Sequence, residues 1–77
     1  MAIGFVFVST APGKDHEVYD HLKAVPEIKE LYALFGEYDF IAKIEADDFN
    51  ALGQVVVNKI RNIQSVIETE THTCIDL

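Results

Sequence analysis

Seventy-seven residues, 13 acidic against 6 basic side chains for a formal net charge of −7, and a single cysteine, Cys74, point to one small acidic domain spanning residues 1–77. Lys and Arg are too few and too scattered to displace phosphate counterions, which argues against direct nucleic-acid binding, and the acidic surface repels anionic membranes. A chain this short buries only about 60% of its unfolded surface; with no intrachain disulfide available and no Cys/His cluster for a structural zinc, a partner chain is left to supply the missing stability.

The elements follow in chain order. Ile3 to Ser9 is short, β-branched and aromatic, which predicts a strand. Its two faces, Ile3, Phe5, Phe7 and Gly4, Val6, Val8, are both apolar, so both require cover. Thr10-Ala11-Pro12-Gly13 breaks the strand and leads into a helix over about Lys14 to Ala24, with Val18, Leu22 and Val25 as its apolar stripe beside Tyr19. Pro26 stops it, because the residue before a proline is pushed out of the α region.

Lys29 to Phe35 is a second strand, Gly36-Glu37-Tyr38 a turn, and Asp39 to Ala46 a third strand, the short connection making an antiparallel hairpin. Asp47-Asp48 opens a second helix to about Ile60, either Asp serving as cap, with Phe49, Leu52, Val56 and Ile60 facing inward. Asn62 to Ser65 turn the chain. Val66 to Leu77 alternates Ile67, Thr69, Thr71, Thr73 and Ile75 against Val66, Glu68, Glu70, His72 and Cys74 as the fourth strand.

The order is βαββαβ, the ferredoxin-like α+β arrangement, with two helices on one face of a four-stranded antiparallel sheet. The other face, which includes apolar residues of the first strand, stays bare in a monomer, and bare apolar faces mark interaction surfaces. Dimerisation through the sheet is therefore expected. No run of about 18 apolar residues could span a bilayer. No positively charged leader precedes the first apolar stretch. A free thiol without an export signal suggests a reducing compartment, the cytoplasm.

Taken in order, several segments resemble the ligand-sensing (RAM) domain of Lrp/AsnC-type transcriptional regulators. They are Ala11-Pro12-Gly13-Lys14, Val25-Pro26-Glu27-Ile28, Gly36-Glu37-Tyr38-Asp39-Phe40, Glu45-Ala46-Asp47-Asp48, Lys59-Ile60-Arg61 and Thr69-Glu70-Thr71. The resemblance implies a homodimer, often assembled into an octamer of four dimers, that senses an amino acid or related metabolite between dimers. It places Gly36, Glu37, Tyr38, Asp39, Thr69 and Thr71 at the ligand. Regulators of this family carry a helix-turn-helix domain before the sensor, and this chain looks like a stand-alone sensor that would act through a DNA-binding relative. Two positions depart from the family pattern. Phe35 replaces a small polar residue before the loop glycine, where it could narrow or fill the pocket, and Ser65-Val66 replaces a Gly-Val pair.

Each candidate has a plainer reading. Gly36 to Asp39 can be a hairpin turn with Asp39 bonding to nearby backbone amides; the functional reading has the loop amides and Tyr38 hold a carboxylate while Asp39 meets an α-ammonium group. Asp39 would then be dispensable to the fold. Thr69, Thr71 and Thr73 suit any half-buried strand, or wall a pocket with hydroxyls. His72 and Cys74 are too few to hold a metal. His16 and His21 lie about 500° apart around a helix and cannot chelate. Asp47-Asp48 is a helix start without calcium-loop spacing.

No nucleophile with a base, zinc-protease motif or phosphate loop is present, so no catalytic residue, metal or cofactor is assigned. The leading expectation is a binding module that modulates transcription or metabolism through partners. The alternative is a small dimeric ferredoxin-like-barrel enzyme of the cofactor-free oxygenase or isomerase type, with His16, His21 or Tyr19 as acid or base in a pocket between sheet and helices.

Overall fold

A computed structural model describes all residues, 1–77. Alternating apolar residues and the two helical stripes build β1 (Ala2–Thr10), α1 (Asp15–Lys23), β2 (Ile28–Ala33), β3 (Phe40–Ala46), α2 (Phe49–Val55), a π-helical turn (Val56–Ile60) and β4 (Val66–Thr73). The sheet order is β2-β3-β1-β4, and every pairing is antiparallel.

Register sorts the side chains onto two faces. Val6 lies opposite Ala42 on one side and Thr71 on the other; Val8 lies opposite Phe40 and Thr69. Directly opposed residues share a face, so these belong with the helices. There Val18 and Leu22 of α1 and Leu52, Val55, Val56 and Ile60 from the second helical stretch close the core over Val6, Val8, Phe40 and Ile44. Leu52 comes so near β1 that a Cβ on Gly4 would sit 3.2 Å from its Cδ1 and 3.3 Å from the His72 carbonyl oxygen. Both distances are tighter than ordinary van der Waals contact, so a side chain there would have to displace Leu52 by a few tenths of an ångström.

The opposite face carries Ile3, Phe5 and Phe7 of β1, Ile41 of β3 and Tyr32 of β2, with no element over them. Phe7 sits against Tyr38 (centroids 5.4 Å) and edge-on to His72 (5.9 Å). Charges frame the row: Lys43 reaches Glu30 at 3.4 Å and Glu45 at 3.9 Å, and His72 Nε2 meets Glu70 Oε2 at 2.6 Å. Just 14 of 77 residues are buried, none of them polar, so the core under the helices is thin and the aromatic row is left half-wet.

Four expectations change. The second strand stops at Ala33, because the Leu34 amide donates to the Asp39 carbonyl (2.8 Å) and closes the hairpin early. Leu34 and Phe35 fall in the connection, and Phe35 is fully exposed, filling no pocket of its own subunit. In the second helix Asp48 is the cap, its Oδ1 accepting from the Ala51 amide at 2.7 Å. That makes Phe49 the first helical residue, 55% exposed against the chain ends, and Val55 instead joins Leu52, Val56 and Ile60 in the core. The helix also widens over its last turn, where the Arg61 amide donates to the Val56 carbonyl at 2.8 Å, an i→i−5 bond. Finally, β4 ends at Thr73; the Cys74 amide still donates to the Ile3 carbonyl (2.8 Å), but β1 begins there and Ile75 to Leu77 have nothing to pair with.

Candidate ligand-binding site

Where β4 begins, the chain is irregular in a way that shapes a cleft. Ser65 stands at φ 78°, the left-handed region. That is the position where the resembled family has glycine, and the geometry explains the preference: a Cβ is costly there. Immediately afterwards a bulge shifts the β1–β4 register, with Ser9 opposite Glu68 but Thr10 opposite Val66. Val66 turns toward the core while Ile67 stays 64% exposed. Between this bulge and the π-helical turn lies an open cleft of about 500 Å³. Val56, Val66 and Ile67 form its apolar wall, and Arg61, Glu68, Thr69 and Thr71 its polar one.

Thr69 and Thr71 stand side by side in that wall because both point to the helix side of an edge strand whose helical cover stops short of them. Among the Ser and Thr hydroxyls of the chain only that of Thr10 donates a hydrogen bond, so those of Thr69 and Thr71 are free. The volume lies within the range of about 300–1,000 Å³ typical of small-molecule sites.

The loop residues are placed elsewhere. Tyr38 packs on Phe7 on the open face, and its hydroxyl donates to Glu70 Oε1 at 3.2 Å. Desolvation and the neighbouring Glu70 carboxylate raise the Tyr38 phenol above its ordinary range. Glu70 is lowered by its bonds to His72 and Tyr38. Glu37 and Gly36 are exposed at the tip, with Gly36 at φ 155°, a region a β-carbon disfavours. Asp39 is not idle: its Oδ2 accepts from both the Thr10 amide (2.8 Å) and the Thr10 hydroxyl (3.1 Å). The carboxylate therefore ties the hairpin to the end of β1, 29 residues away in sequence, where the plainer reading of the sequence has it bond amides of its own turn. Within one subunit, then, Thr69 and Thr71 come together, while Gly36, Glu37, Tyr38 and Asp39 do not join them in the cleft.

Two other clefts differ in their chemistry. One of about 580 Å³ runs along α2 past Glu27, Glu45, Asp47, Asn50 and Gln54, but its one cation, Lys59, is clamped to both Glu27 oxygens at 2.8 and 3.0 Å. A smaller one of about 210 Å³ between α1 and β2 includes Asp15, His16 and Tyr19, the residues of the alternative enzyme reading. There Tyr19 is stacked on Phe40 at 5.8 Å with Lys23 above its ring. His16 has no hydrogen-bond partner to orient it as an acid or base, and His21 lies outside this cleft. No group of three or more His, Cys, Asp or Glu side chains is arranged to hold a metal ion. No helix is long and apolar enough to cross a membrane.

A ferredoxin-like α+β sheet with helices on one face and a polar cleft against its edge strand defines a small ligand-binding domain. The chain belongs to the Lrp/AsnC ligand binding domain family, whose sequence profile it matches over residues 3–76. It is similar to a solved FFRP protein at 41% identity, covering 97% of this chain and 100% of that one with a TM-score of 0.92. A solved hypothetical protein from Pyrococcus horikoshii is 40% identical over 100% of this chain and 93% of its own, TM-score 0.89. The HTH-type transcriptional regulator FL11 of Pyrococcus horikoshii is 36% identical over 76 residues, 97% of this chain but 48% of that protein. The chain thus spans less than half the length of the curated regulators it matches.

Arg61 and Glu68 are the cleft residues that sequence reasoning missed. In the sequence Arg61 reads as part of a helix-end motif and Glu68 as one half of an alternation. Neither carries a local signal: the π-helical turn and the β1–β4 bulge bring these segments to the cleft, and both appear only in three dimensions.

Proposed function

We propose that this domain is a non-catalytic sensor of an amino acid or closely related metabolite, working in the cytoplasm. Its ligand occupies the cleft beside β4, with Thr69 and Thr71 as hydrogen-bonding wall. The Gly36–Asp39 loop of a neighbouring subunit completes the site, since within one subunit that loop lies elsewhere. Subunits pair through the open sheet face into homodimers, and four dimers assemble into an octamer. Ligand held between subunits stabilises the assembled state, which couples occupancy to assembly.

The observation that carries this reading is the pair of unengaged hydroxyls in the wall of the cleft of about 500 Å³. Two relatives support it. A transcriptional regulator of Neisseria meningitidis, 21% identical over 97% of this chain with a TM-score of 0.86, has been solved as an L-Met complex. The homocitrate synthase of Sulfurisphaera tokodaii matches 50 residues at 40% identity, 65% of this chain and only 11% of that enzyme. A similar segment thus accompanies DNA-binding regulators and a biosynthetic enzyme. The signal passes to a partner, a DNA-binding relative or a metabolic enzyme.

A thermal-shift panel of the twenty L-amino acids at millimolar concentration tests the reading. A ligand at 100 times its Kd stabilises by about 2.7 kcal/mol, and each kcal/mol moves the Tm of a domain this size by about 4–8 °C. A selective shift that Thr71→Val removes is the expected result. No shift with any amino acid refutes the amino-acid reading.

A further inference from the structure

The open sheet face is apolar along its centre and acidic toward one edge. Register places Glu45 beside Ile3, Lys43 beside Phe5 with Glu30 beyond it, and Glu70 beside Phe7. Glu68 pairs with Ser9, one step on in the same unbroken register, so its side chain belongs to this face as well. Lys43 is shared between Glu30 at 3.4 Å and Glu45 at 3.9 Å. Lys29, in the bulge of β2, donates to the Pro26 carbonyl at 3.1 Å. No lysine or arginine reaches Glu68 or Glu70. Four carboxylates thus stand against one ammonium, a formal −3, and the two without a lysine are gathered on β4.

His72 is the one further basic side chain in this register. It lies opposite Phe5, edge-on to Phe7 at 5.9 Å, with Nε2 2.6 Å from Glu70 Oε2. The other Glu70 oxygen accepts from the Tyr38 hydroxyl at 3.2 Å. On its own strand His72 has Glu70 and Cys74 as titratable neighbours, and Glu68 two residues further back. The hairpin loop brings Tyr38, on which Glu37 also acts. β1 brings only Phe5 and Phe7, and Lys43 of β3 lies beyond Phe5. The Met1 ammonium is at the far end, in a cleft with Ile3 and Cys74.

His72 and Glu70 are both open to water in one subunit and become covered when two sheets meet face to face. Covering a carboxylate that has no cation strips a charge of its water, whereas a carboxylate–imidazolium pair goes in nearly neutral. Two copies also set like charge against like, −3 from each face with His72 neutral and −2 with it protonated. We infer that His72 makes assembly through this face proton-linked: the dimer takes up a proton at each His72 and loosens as pH rises through neutrality. The inference rests on the sheet-face pairing proposed above and adds what controls it. Histidine is the side chain whose ordinary titration falls between about pH 5 and 8, so the control lies in the physiological range. A group that holds its proton more tightly in the assembled state favours assembly at low pH, and that contribution is lost as pH rises past its value in that state.

Sedimentation equilibrium of the whole chain, at fixed ionic strength and from about pH 6 to 8, tests this; carboxylates stay ionised across that window. If each subunit holds its proton about ten times more tightly in the dimer, Kd should fall by up to about 100-fold toward the acid end. His72→Gln keeps a donor for Glu70 but cannot titrate, so it should hold the parent's weaker, alkaline Kd throughout. Glu70→Gln removes the carboxylate that the imidazolium answers; it should tighten the dimer at the alkaline end and shrink the span. His16→Gln combined with His21→Gln, on α1 across the sheet, should keep the full dependence. Far-UV spectra matching the parent show that each variant is folded. If the parent stays dimeric at the lowest concentration, the same series in a Phe5→Ala background brings Kd into range. A Kd constant across the window, or a dependence that survives His72→Gln, overturns the proton link and leaves the sheet-face dimer standing. A monomer throughout, or a dimer that Phe5→Glu does not disturb, overturns the pairing itself and this inference with it.

Discussion

Ser65 offers a sharp test of the backbone that shapes the cleft. It is the one non-glycine residue with positive φ, at 78°. A β-carbon in the left-handed region costs about 1–2 kcal/mol. Replacement by glycine removes that cost but frees the unfolded chain, giving back about 0.4–1 kcal/mol. The Ser65 hydroxyl donates no hydrogen bond, and the bond that matters, from the Ala11 amide to the Ser65 carbonyl at 2.9 Å, is backbone and survives. The net for Ser65→Gly is a stabilisation of about 0.5–1 kcal/mol, a Tm rise of roughly 2–8 °C. Thermal melts by circular dichroism at one fixed protein concentration measure it, since assembly makes Tm concentration-dependent. Ser65→Ala keeps the Cβ and should show no rise. If Ser65→Gly melts at or below the parent, or alanine stabilises as much as glycine, the strain argument is wrong.

Three further outcomes follow from the packing and the charges. Asp39→Ala should destabilise by about 1–3 kcal/mol, since it leaves the Thr10 amide and hydroxyl without their shared acceptor; faster hydrogen exchange at the Thr10 amide would localise the loss. Phe5→Glu, which places a charge in the open aromatic row of the sheet, should reduce the light-scattering mass to that of the 8.6 kDa chain, whereas an unchanged assembly would show that subunits meet elsewhere. Lys59→Met should cost about 0.5 kcal/mol at neutral pH. The Lys59 ammonium holds the Glu27 carboxyl below its ordinary 4.5. A carboxyl depressed in the folded state stabilises above its unfolded value and loses that contribution as pH falls through the folded one. Melts from pH 7 into acid should therefore show parent and variant converging once Glu27 is protonated, and a constant gap would refute the ion pair.

Much of the architecture was legible in the residue order because it rests on local rules. The two apolar faces of Ile3–Ser9, the stop at Pro26 and an aspartate cap at Asp47 or Asp48 each follow from periodicity or backbone chemistry within a few residues. Those rules determine which segments are strands and helices, that both sides of β1 need cover, and that Thr69 and Thr71 share a face. Tertiary structure decided the rest, because the deciding partners are remote in sequence. Asp39 is claimed by Thr10 across 29 residues. Phe35 leaves its strand because Leu34 pairs with Asp39. Tyr38 is drawn to the open face by Phe7 and Glu70, away from the threonines. Whether a charge such as that of Arg61 is spent or free depends on every carboxylate that folding brings near it. The order of residues sets which charges exist; only the folded chain determines which remain unmatched.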